Sequence, residues 1–311
     1  MAGSRGRIIS LDRGYPLVKT PEGEFRAQHS IDLVKNTDIR AAVGDNVEVE
    51  SPPGQDIPLI IAIKPRGHTL VRRSLVQSRH EGAGKYNEQI LATNIDSVFV
   101  MTALSNHHLD VPYLERQLVM AHESGADVVI VLSKADQAKH LEEDIAAARA
   151  LAFDSPIIVE SAVTGEGLQH ILELVKGGKT GVLLGRSGVG KSTLINELLG
   201  APLLETGLVR GKDRAGRHTT VARRMVFLDN ADASGSAIID APGLRSIGLY
   251  DAYDGLAAAF PDIVDVAAHC RYRDCSHTGE PGCAVREAVS KGKLAERRLA
   301  SYVEIAAEVN A

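Results

Sequence analysis

The pattern of apolar and polar residues first indicates short β-strands. Residues 1–76 contain brief alternating runs, for example at positions 7–10, separated by turn signals that end in Gly23 and Gly54. Several short strands without a helical period are typical of a small β-barrel. We therefore predict a β-barrel domain over residues 1–76, followed by a polar, glycine-containing linker over residues 77–89.

From residue 90 onward, apolar runs alternate with helical segments. One helix is predicted to begin at Asp110 and stop at Gly125, and an alanine-rich helix covers residues 137–151. This alternation predicts an α/β domain over residues 90–248, with a mostly parallel sheet covered by helices on both faces. The predicted strands cover residues 95–102, 128–132, 157–159, 181–184 and 237–239.

The last part of the chain, residues 249–311, again has a helical period, which a Cys/His cluster interrupts and which resumes over residues 284–309. An odd number of clustered cysteines favours a metal site in a reducing compartment over a disulfide framework. Three thiolates and an imidazole with the spacing Cx₄CxHx₅C can close a tetrahedral, structural zinc site. The predicted ligands are Cys270, Cys275, His277 and Cys283, with His269 as an alternative.

Composition and charge add two points. The 311 residues, 44% of them apolar, suffice for two or three domains, and no stretch approaches roughly 18 consecutive apolar residues, so we predict a cytoplasmic protein that does not span a membrane. The net charge of −5 conceals two basic segments, residues 64–85 and 210–224, each with six Lys or Arg against one acidic residue. Such segments favour contact with a polyanion, although solvated surfaces also carry such runs.

A phosphate-binding loop, GRSGVGKS, lies between a predicted strand and a predicted helix. Its glycines let successive backbone N–H groups point at one phosphate, and the helix N-terminus adds partial positive charge. Lys191 is expected to reach the β- and γ-phosphates, and the Ser192 hydroxyl to bind Mg²⁺. The predicted phosphate-binding residues are Gly185, Arg186, Ser187, Gly188, Val189, Gly190, Lys191, Ser192 and Thr193.

Further magnesium and phosphate contacts are predicted downstream of that loop. Asp240 ends an apolar strand, where its carboxylate can hold Mg²⁺, and the N–H of Gly243 can meet the γ-phosphate. Between the two motifs lies a polar stretch in which Thr220 is a candidate for the Mg²⁺ shell while the γ-phosphate is present. The alternative for that stretch is a solvent-exposed loop without a role.

The motif that distinguishes guanine from adenine precedes the phosphate loop. Asp136, just after a predicted strand, can accept from the N1–H and N2–H₂ of guanine, whereas adenine offers no such donors. The stem of Lys134 can lie against the base, and Ser133 completes the motif. Ser161 and Ala162 follow the next strand, where a backbone N–H can donate to guanine O6. The sequence therefore predicts GTP rather than ATP.

The two base-reading motifs come first in the chain, followed by the phosphate loop, the polar stretch that contains Thr220 and the magnesium motif at Asp240. This order is a circular permutation of the usual GTPase order. The chain resembles the RsgA family of circularly permuted GTPases, most specifically in the stretches GRSGVGKSTLIN, GRHTT, DAPG and CRYRDCSHTGEPGC. The resemblance implies an OB-fold, a permuted P-loop GTPase domain and a C-terminal zinc domain. It also implies one zinc, Mg²⁺ with GTP, and a monomer that hydrolyses GTP on the 30S ribosomal subunit, contacts 16S rRNA and acts late in maturation of that subunit.

Two departures and an RNA surface complete the sequence-based picture. Ser133 replaces the usual Asn, and Leu244 stands where many GTPases carry a water-orienting Gln. In the polar stretch that contains Thr220, His218 is the nearest polar candidate for orienting that water. The resemblance also marks it as the catalytic residue. The barrel, the 64–85 segment, Arg271 and Arg273 are candidates for RNA contact. Leu244 leaves open a GTP-controlled RNA adaptor with negligible hydrolysis, and a zinc-bearing NTPase acting on another nucleic acid is a third possibility.

Overall fold

A computed structural model describes residues 3–11, 14–36, 39–75, 86–204, 223–228, 235–241 and 247–311. Four residues that carry predictions lie outside these ranges, namely His218, Thr220, Gly243 and Leu244. Within the described ranges, no helix is both long enough and apolar enough to cross a membrane.

The N-terminal strands pair in the order β3-β2-β1-β5-β6-β4, and we call this group the N-terminal ring because its two end strands are adjacent in the chain. β1 pairs antiparallel with β2 and β5, β2 with β3, and β5 with β6, while β4 pairs parallel with β6. A single residue, Ala27, separates β3 from β4 in the chain. The two strands at the ends of the pairing order therefore lie next to each other. Apolar side chains inside the ring form their own core, with Ile8, Val18 and Ile60 fully buried. The elements are β1 (Ser4–Ser10), β2 (Leu17–Thr20), β3 (Gly23–Arg26), β4 (Gln28–His29), α1 (Ile31–Asn36), β5 (Asn46–Glu50) and β6 (Leu59–Ile63).

A hairpin of β7 (Thr69–Leu75) and β8 (Tyr86–Thr93) leads out of the ring. The strand β8 starts at residue 86, so the last four residues of the predicted linker are extended and paired. These four residues lack the apolar alternation that indicates a strand, because the strand pairing there includes an ionic contact. Arg73 Nε lies 3.2 Å from Glu88 Oε2 on the facing strand, and such opposite-charge pairs support strand pairing.

The middle of the chain forms an α/β sheet with the order β11-β10-β9-β12-β14-β13. All neighbouring pairs are parallel except β13 with β14. Among the described residues, one strand pairing, of Ser10 in β1 with Arg224 in β13, joins this sheet to the N-terminal ring. The elements are β9 (Ser97–Ala103), α2 (Val111–Glu123), β10 (Asp127–Ser133), α3 (Leu141–Ala152), β11 (Ile157–Val159), α4 (Leu168–Val175), β12 (Thr180–Leu184), α5 (Lys191–Leu199), β13 (Arg224–Phe227) and β14 (Ala237–Asp240).

Successive side chains of the parallel strands alternate between two buried cores. Val98 and Val100 of β9 belong to the core that includes α2 and α3, whereas Phe99 and Met101 belong to the core that includes α4 and α5. This period of two follows from the pleat of a strand. Burial of both faces explains why these strands read as continuous apolar runs, and it confirms the predicted mixed α/β sheet.

The predicted helix starts are right in one case and displaced in another. Asp110 caps α2, since its carboxylate accepts the backbone N–H of Tyr113 at 3.2 Å. The helix predicted over residues 137–151 begins later, at Leu141, and is preceded by a 3₁₀ turn over Ala135–Gln137. That turn stands where the chain leaves β10, so the base-reading motif is a loop and not part of the helix.

Four helices form the C-terminal part: α6 (Tyr253–Ala259), α7 (Pro261–Ala267), α8 (Ala284–Ser290) and α9 (Glu296–Val309). The helical pattern of residues 284–309 is split into α8 and α9 at Gly292, whose φ is +69°. Apolar residues of these helices share one core with α2, including the fully buried Phe260. Glu115 of α2 is also fully buried, and Arg298 Nη1 donates to its Oε1 at 2.7 Å.

Candidate active site

The predicted nucleotide-contacting loops lie at one edge of the parallel sheet. The base-reading loop follows β10, Ser161 and Ala162 follow β11, the phosphate loop follows β12, and Asp240 is the last residue of β14. Parallel strands present their carboxyl ends at the same edge, which is where open α/β sheets bind ligands. The chain order of these loops is the permuted one, but their order in space follows the sheet.

The phosphate loop has the conformation that its glycines predict. Gly188 and Gly190 have φ angles of +83° and +113°, which favour glycine. A Cβ on Gly185 would lie 2.7 Å from the carbonyl oxygen of Met101, so a side chain does not fit there. Lys191 is buried, and its Nζ donates to the carbonyl oxygens of Gly185 at 3.0 Å and Arg186 at 3.2 Å. The ammonium group is therefore held over the loop, where phosphate oxygens would bind.

The two predicted magnesium ligands that the structure describes lie together. Ser192 is 48 residues before Asp240, and its Oγ donates to Asp240 Oδ2 at 3.3 Å. A hydroxyl and a carboxylate offer the oxygen ligands that Mg²⁺ prefers, with the remaining positions left to phosphate oxygens and water. The chemistry of this pair therefore fits a nucleotide-bound magnesium ion.

The base-reading loop is fixed by side-chain contacts. Asp136 Oδ1 accepts from the hydroxyl of the buried Ser161 at 2.7 Å, which joins the loops after β10 and β11. The backbone N–H of Ala135 donates to the carbonyl oxygen of Glu160 at 3.0 Å. Lys134 has a left-handed φ of +60° and turns the chain between β10 and the 3₁₀ turn. One carboxylate oxygen of Asp136 is therefore oriented by the protein itself.

Two hydrogen bonds connect the base-reading loop to the phosphate loop. Ser133 Oγ donates to the carbonyl oxygen of Val189 at 2.7 Å, and Lys134 Nζ donates to that of Gly188 at 2.7 Å. The partners are more than 50 residues apart in the sequence. Ser133 thus keeps the role of joining the two loops although its side chain is shorter than Asn. The two loops therefore lie side by side at the edge of the sheet.

Glu160 was not predicted as part of the site, yet it lies between the two base-proximal loops. It is 3% exposed, and within the described residues its Oε1 has no hydrogen-bond partner. Burial raises the pKa of this carboxyl to about 7, with a further contribution from the charge of Asp136. The available signal was a charged residue at the end of an apolar strand, directly before Ser161.

Arg186 also has partners that the phosphate-loop motif does not predict. Its Nη1 lies 2.9 Å from Asp110 Oδ2, and its guanidinium lies 3.7 Å from the centre of the Tyr113 ring. Asp110 caps α2 at the same time, so the phosphate loop is attached to the start of that helix.

The predicted zinc ligands form one cluster. Ligand atoms of Cys270, Cys275, His277 and Cys283 all lie within 4.8 Å of one another, and His269 is not among them. The His277 Nδ1 atom is 3.7 Å from Cys270 Sγ and 3.4 Å from Cys283 Sγ. A tetrahedral zinc ion needs ligand separations of roughly 3.3–3.8 Å. These two distances lie in that range, and the 4.0 Å between Cys270 Sγ and Cys283 Sγ is slightly longer. Without a cation, burial raises the pKa of the Cys275 thiol to about 12.

Three basic residues of the predicted RNA-binding surface form ion pairs with acidic residues. Lys64 pairs with Glu48 at 2.5 Å, Arg66 with the buried Asp45 at 2.7 Å, and Arg73 with Glu88. These three cations of the 64–85 segment are largely neutralised, whereas Arg79, Lys85 and most of the 210–224 segment lie outside the described residues. In the loop that carries Cys270 and Cys275, Arg271 and Arg273 are exposed on either side of an exposed aromatic residue, Tyr272.

Comparisons with known proteins agree with this geometry. The model of the RsgA GTPase family matches residues 63–250. A small ribosomal subunit biogenesis GTPase RsgA from Streptomyces coelicolor is 40% identical over 310 residues, covering 97% of this chain and 80% of that protein. The crystal structure of YjeQ from Thermotoga maritima has a TM-score of 0.67 at 23% identity and covers 98% of both chains. YloQ, a circularly permuted GTPase, has a TM-score of 0.64 at 21% identity, covering 99% of this chain and 95% of that one.

The strand order, the phosphate loop and the base-reading loop define a P-loop GTPase whose motifs are circularly permuted. The particular family follows from the sequence relatives: the chain belongs to the RsgA GTPase family and is a GTP-hydrolysing enzyme. Membership in a family of GTPases favours hydrolysis over the adaptor alternative that Leu244 left open.

Proposed function

We propose that this enzyme binds the small (30S) ribosomal subunit, contacts its 16S rRNA and hydrolyses GTP to GDP to assist late maturation of the subunit. The contacts of Ser133 and Lys134 with the phosphate loop carry the nucleotide half of the proposal, since they hold the base-reading loop beside the phosphate loop. The names of the sequence relatives support the ribosomal half. We further propose that the protein acts as a cytoplasmic monomer.

The decisive experiment measures GTP hydrolysis with 30S subunits, with 50S subunits and without ribosomal particles. Stimulation by 30S alone supports the proposal. Equal turnover of ATP and GTP, or stimulation by DNA, would favour the zinc-bearing NTPase acting on another nucleic acid. Stimulation by 50S alone would contradict the choice of subunit but not the GTPase activity.

The proposed nucleotide-binding residues fall into two groups, one for the base and one for the phosphates. Ser133, Lys134, Asp136, Ser161 and Ala162 bind the base, and residues 185–193 together with Gly243 bind the phosphates. Mg²⁺ is held by Ser192, Thr220 and Asp240. The Ser192–Asp240 contact supports the magnesium assignment for the two described ligands.

His218 is proposed to position the attacking water in the enzyme bound to the ribosomal subunit, because the side chain of Leu244 cannot hydrogen-bond a water molecule. A His218→Ala variant is expected to bind GTP normally and to lose 30S-stimulated turnover. His107, an exposed histidine outside the nucleotide loops, provides a matched alanine control. Unchanged stimulated turnover in His218→Ala would remove this residue from the mechanism.

The domain assignment is part of the proposal. An OB-fold over residues 1–76 is supported by the ring of strand pairings, in which β4 pairs parallel with β6 and α1 precedes β5. The linker covers residues 77–89, the permuted GTPase domain 90–248, and the zinc domain 249–311. One structural zinc held by Cys270, Cys275, His277 and Cys283 follows from a closed four-ligand cluster. The exposed Arg271, Tyr272 and Arg273 beside it are suited to a phosphate-rich RNA surface.

A further inference from the structure

A second group of metal-ligand side chains lies at the sheet edge, apart from the zinc cluster. His108 lies on the loop after β9, His140 directly precedes α3, and Glu143 is in the first turn of that helix. One ligand atom from each of the three lies within 4.8 Å of the others. The two imidazole rings approach to 4.1 Å between their centres, and Glu143 Oε2 is 3.2 Å from His140 Nδ1 and 3.7 Å from His108 Nδ1.

A buried carboxylate lies beside this group and adds negative charge next to it. Asp144 is 1% exposed, and its Oδ1 accepts the backbone N–H of Leu109 at 2.9 Å and lies 3.6 Å from His108 Nδ1. Its other oxygen, Oδ2, is buried and has no hydrogen-bond partner among the described residues. A buried carboxylate oxygen without a donor is costly, and a nearby cation would compensate for it.

The donor set selects the class of metal. Two imidazoles and one or two carboxylates suit divalent transition metals such as Zn²⁺, Co²⁺ or Ni²⁺, whereas Mg²⁺ and Ca²⁺ prefer oxygen ligands throughout. Tetrahedral coordination needs ligand separations of roughly 3.3–3.6 Å for nitrogen and oxygen donors. The side chains of His108 and Glu143 are 65% and 68% exposed, so rotations of these side chains suffice to close the gap.

We propose that His108, His140 and Glu143 bind a divalent transition-metal ion, and that Asp144 supplies a buried negative charge that orients His108. Such an ion joins the loop after β9 to the start of α3. Both segments are continuous with nucleotide-site loops, because Asp110 pairs with Arg186 and the 3₁₀ turn of Asp136 leads to His140. The site is distinct from the thiolate cluster, which lies in the C-terminal part of the chain.

The test uses full-length protein with one equivalent of zinc bound, titrated with Co²⁺ and followed by visible spectroscopy and calorimetry. A second equivalent should bind and produce d–d absorption without the intense thiolate-to-cobalt charge-transfer bands that a Cys₃His site would give. Binding should be lost in His108→Ala and in His140→Ala, and should persist in the matched control His107→Ala. Asp144→Asn should weaken binding about 10–100-fold.

Circular dichroism verifies that each variant is folded, and His140→Gln provides a less disruptive replacement. If the wild-type protein binds no metal beyond the one equivalent of zinc, the proposal is overturned. A second equivalent whose affinity is the same in the His108→Ala and His140→Ala variants, or one that shows thiolate charge transfer, would also overturn it.

Discussion

The phosphate end and the base end of the proposed nucleotide site are built in different ways. At the phosphate end, backbone carbonyls hold Lys191, and positive φ angles at Gly188 and Gly190 shape the loop. At the base end, side chains hold one another, as in the contact of Asp136 with Ser161. A backbone-built end depends on residue spacing, whereas a side-chain-built end depends on which polar groups are present. The four predictions below test this difference.

Replacement of Lys191 by Ala should have the largest effect. The ammonium group is the principal charge that the described part of the phosphate loop offers to the nucleotide, and charge-assisted hydrogen bonds contribute about 1.5–3 kcal/mol each. Two lost phosphate contacts predict GTP binding weaker by at least about 100-fold. Calorimetry with GTP and GDP checks this, with Lys179→Ala, an exposed lysine just before β12, as the control. A change below about tenfold would show that the loop backbone alone holds the phosphates.

Asp136→Asn should change the choice of base more than the grip on the phosphates. An amide in place of the carboxylate offers a donor where guanine also offers donors, so GTP affinity should fall about 10–100-fold. Xanthosine triphosphate has a carbonyl at C2 in place of the 2-amino group of guanine, so its affinity for the variant should increase. Competition binding of the two nucleotides measures the ratio, and Asp154→Asn at an exposed position is the control. An unchanged ratio would mean that Asp136 does not contact the base.

Ser133→Ala should affect the connection between the two ends. The lost hydrogen bond to Val189 is a buried one, so its removal is expected to cost about 1 kcal/mol and GTP affinity about fivefold. Because the bond orients loops and does not choose the base, GTP and inosine triphosphate should weaken equally. Ser133→Thr, which retains a hydroxyl, should restore part of the affinity. Because GTP and inosine triphosphate differ only in the 2-amino group, a selective loss for GTP would instead place this hydroxyl on the 2-amino group of guanine.

Glu160→Gln should have the smallest effect on nucleotide binding, and its effect on stability should depend on pH. The folded protein binds the proton of Glu160 more tightly than the unfolded chain, so this carboxyl contributes stability below its ordinary pKa of 4.5 and loses that contribution as the pH rises through about 7. The melting temperature of the variant should therefore rise relative to wild type between about pH 5 and about pH 8. A difference in melting temperature that stays constant with pH would contradict the raised pKa.

The sequence predicted the elements whose signals are local. The phosphate loop, the α2 start at Asp110 and the four Cys/His ligands each follow from spacing and residue type within a few positions. What it missed depends on residues far apart in the chain. Glu160 reads as an ordinary charged residue until β11 buries it beside Asp136, and the ionic partners of Lys64 and Arg66 are recognisable only when β5 and its neighbouring loop face them.

The buried pair of Glu115 and Arg298 has a consequence for experiments that divide this protein. A fragment ending at residue 248 would leave Glu115 as a carboxylate without its guanidinium and would place the apolar side of α2 in water, and both changes are strongly destabilising. Phe260 and its helices, produced separately, would lose the same partner surface. The permuted GTPase domain and the C-terminal helices should therefore melt in a single cooperative transition, and neither half represents the whole protein in an experiment.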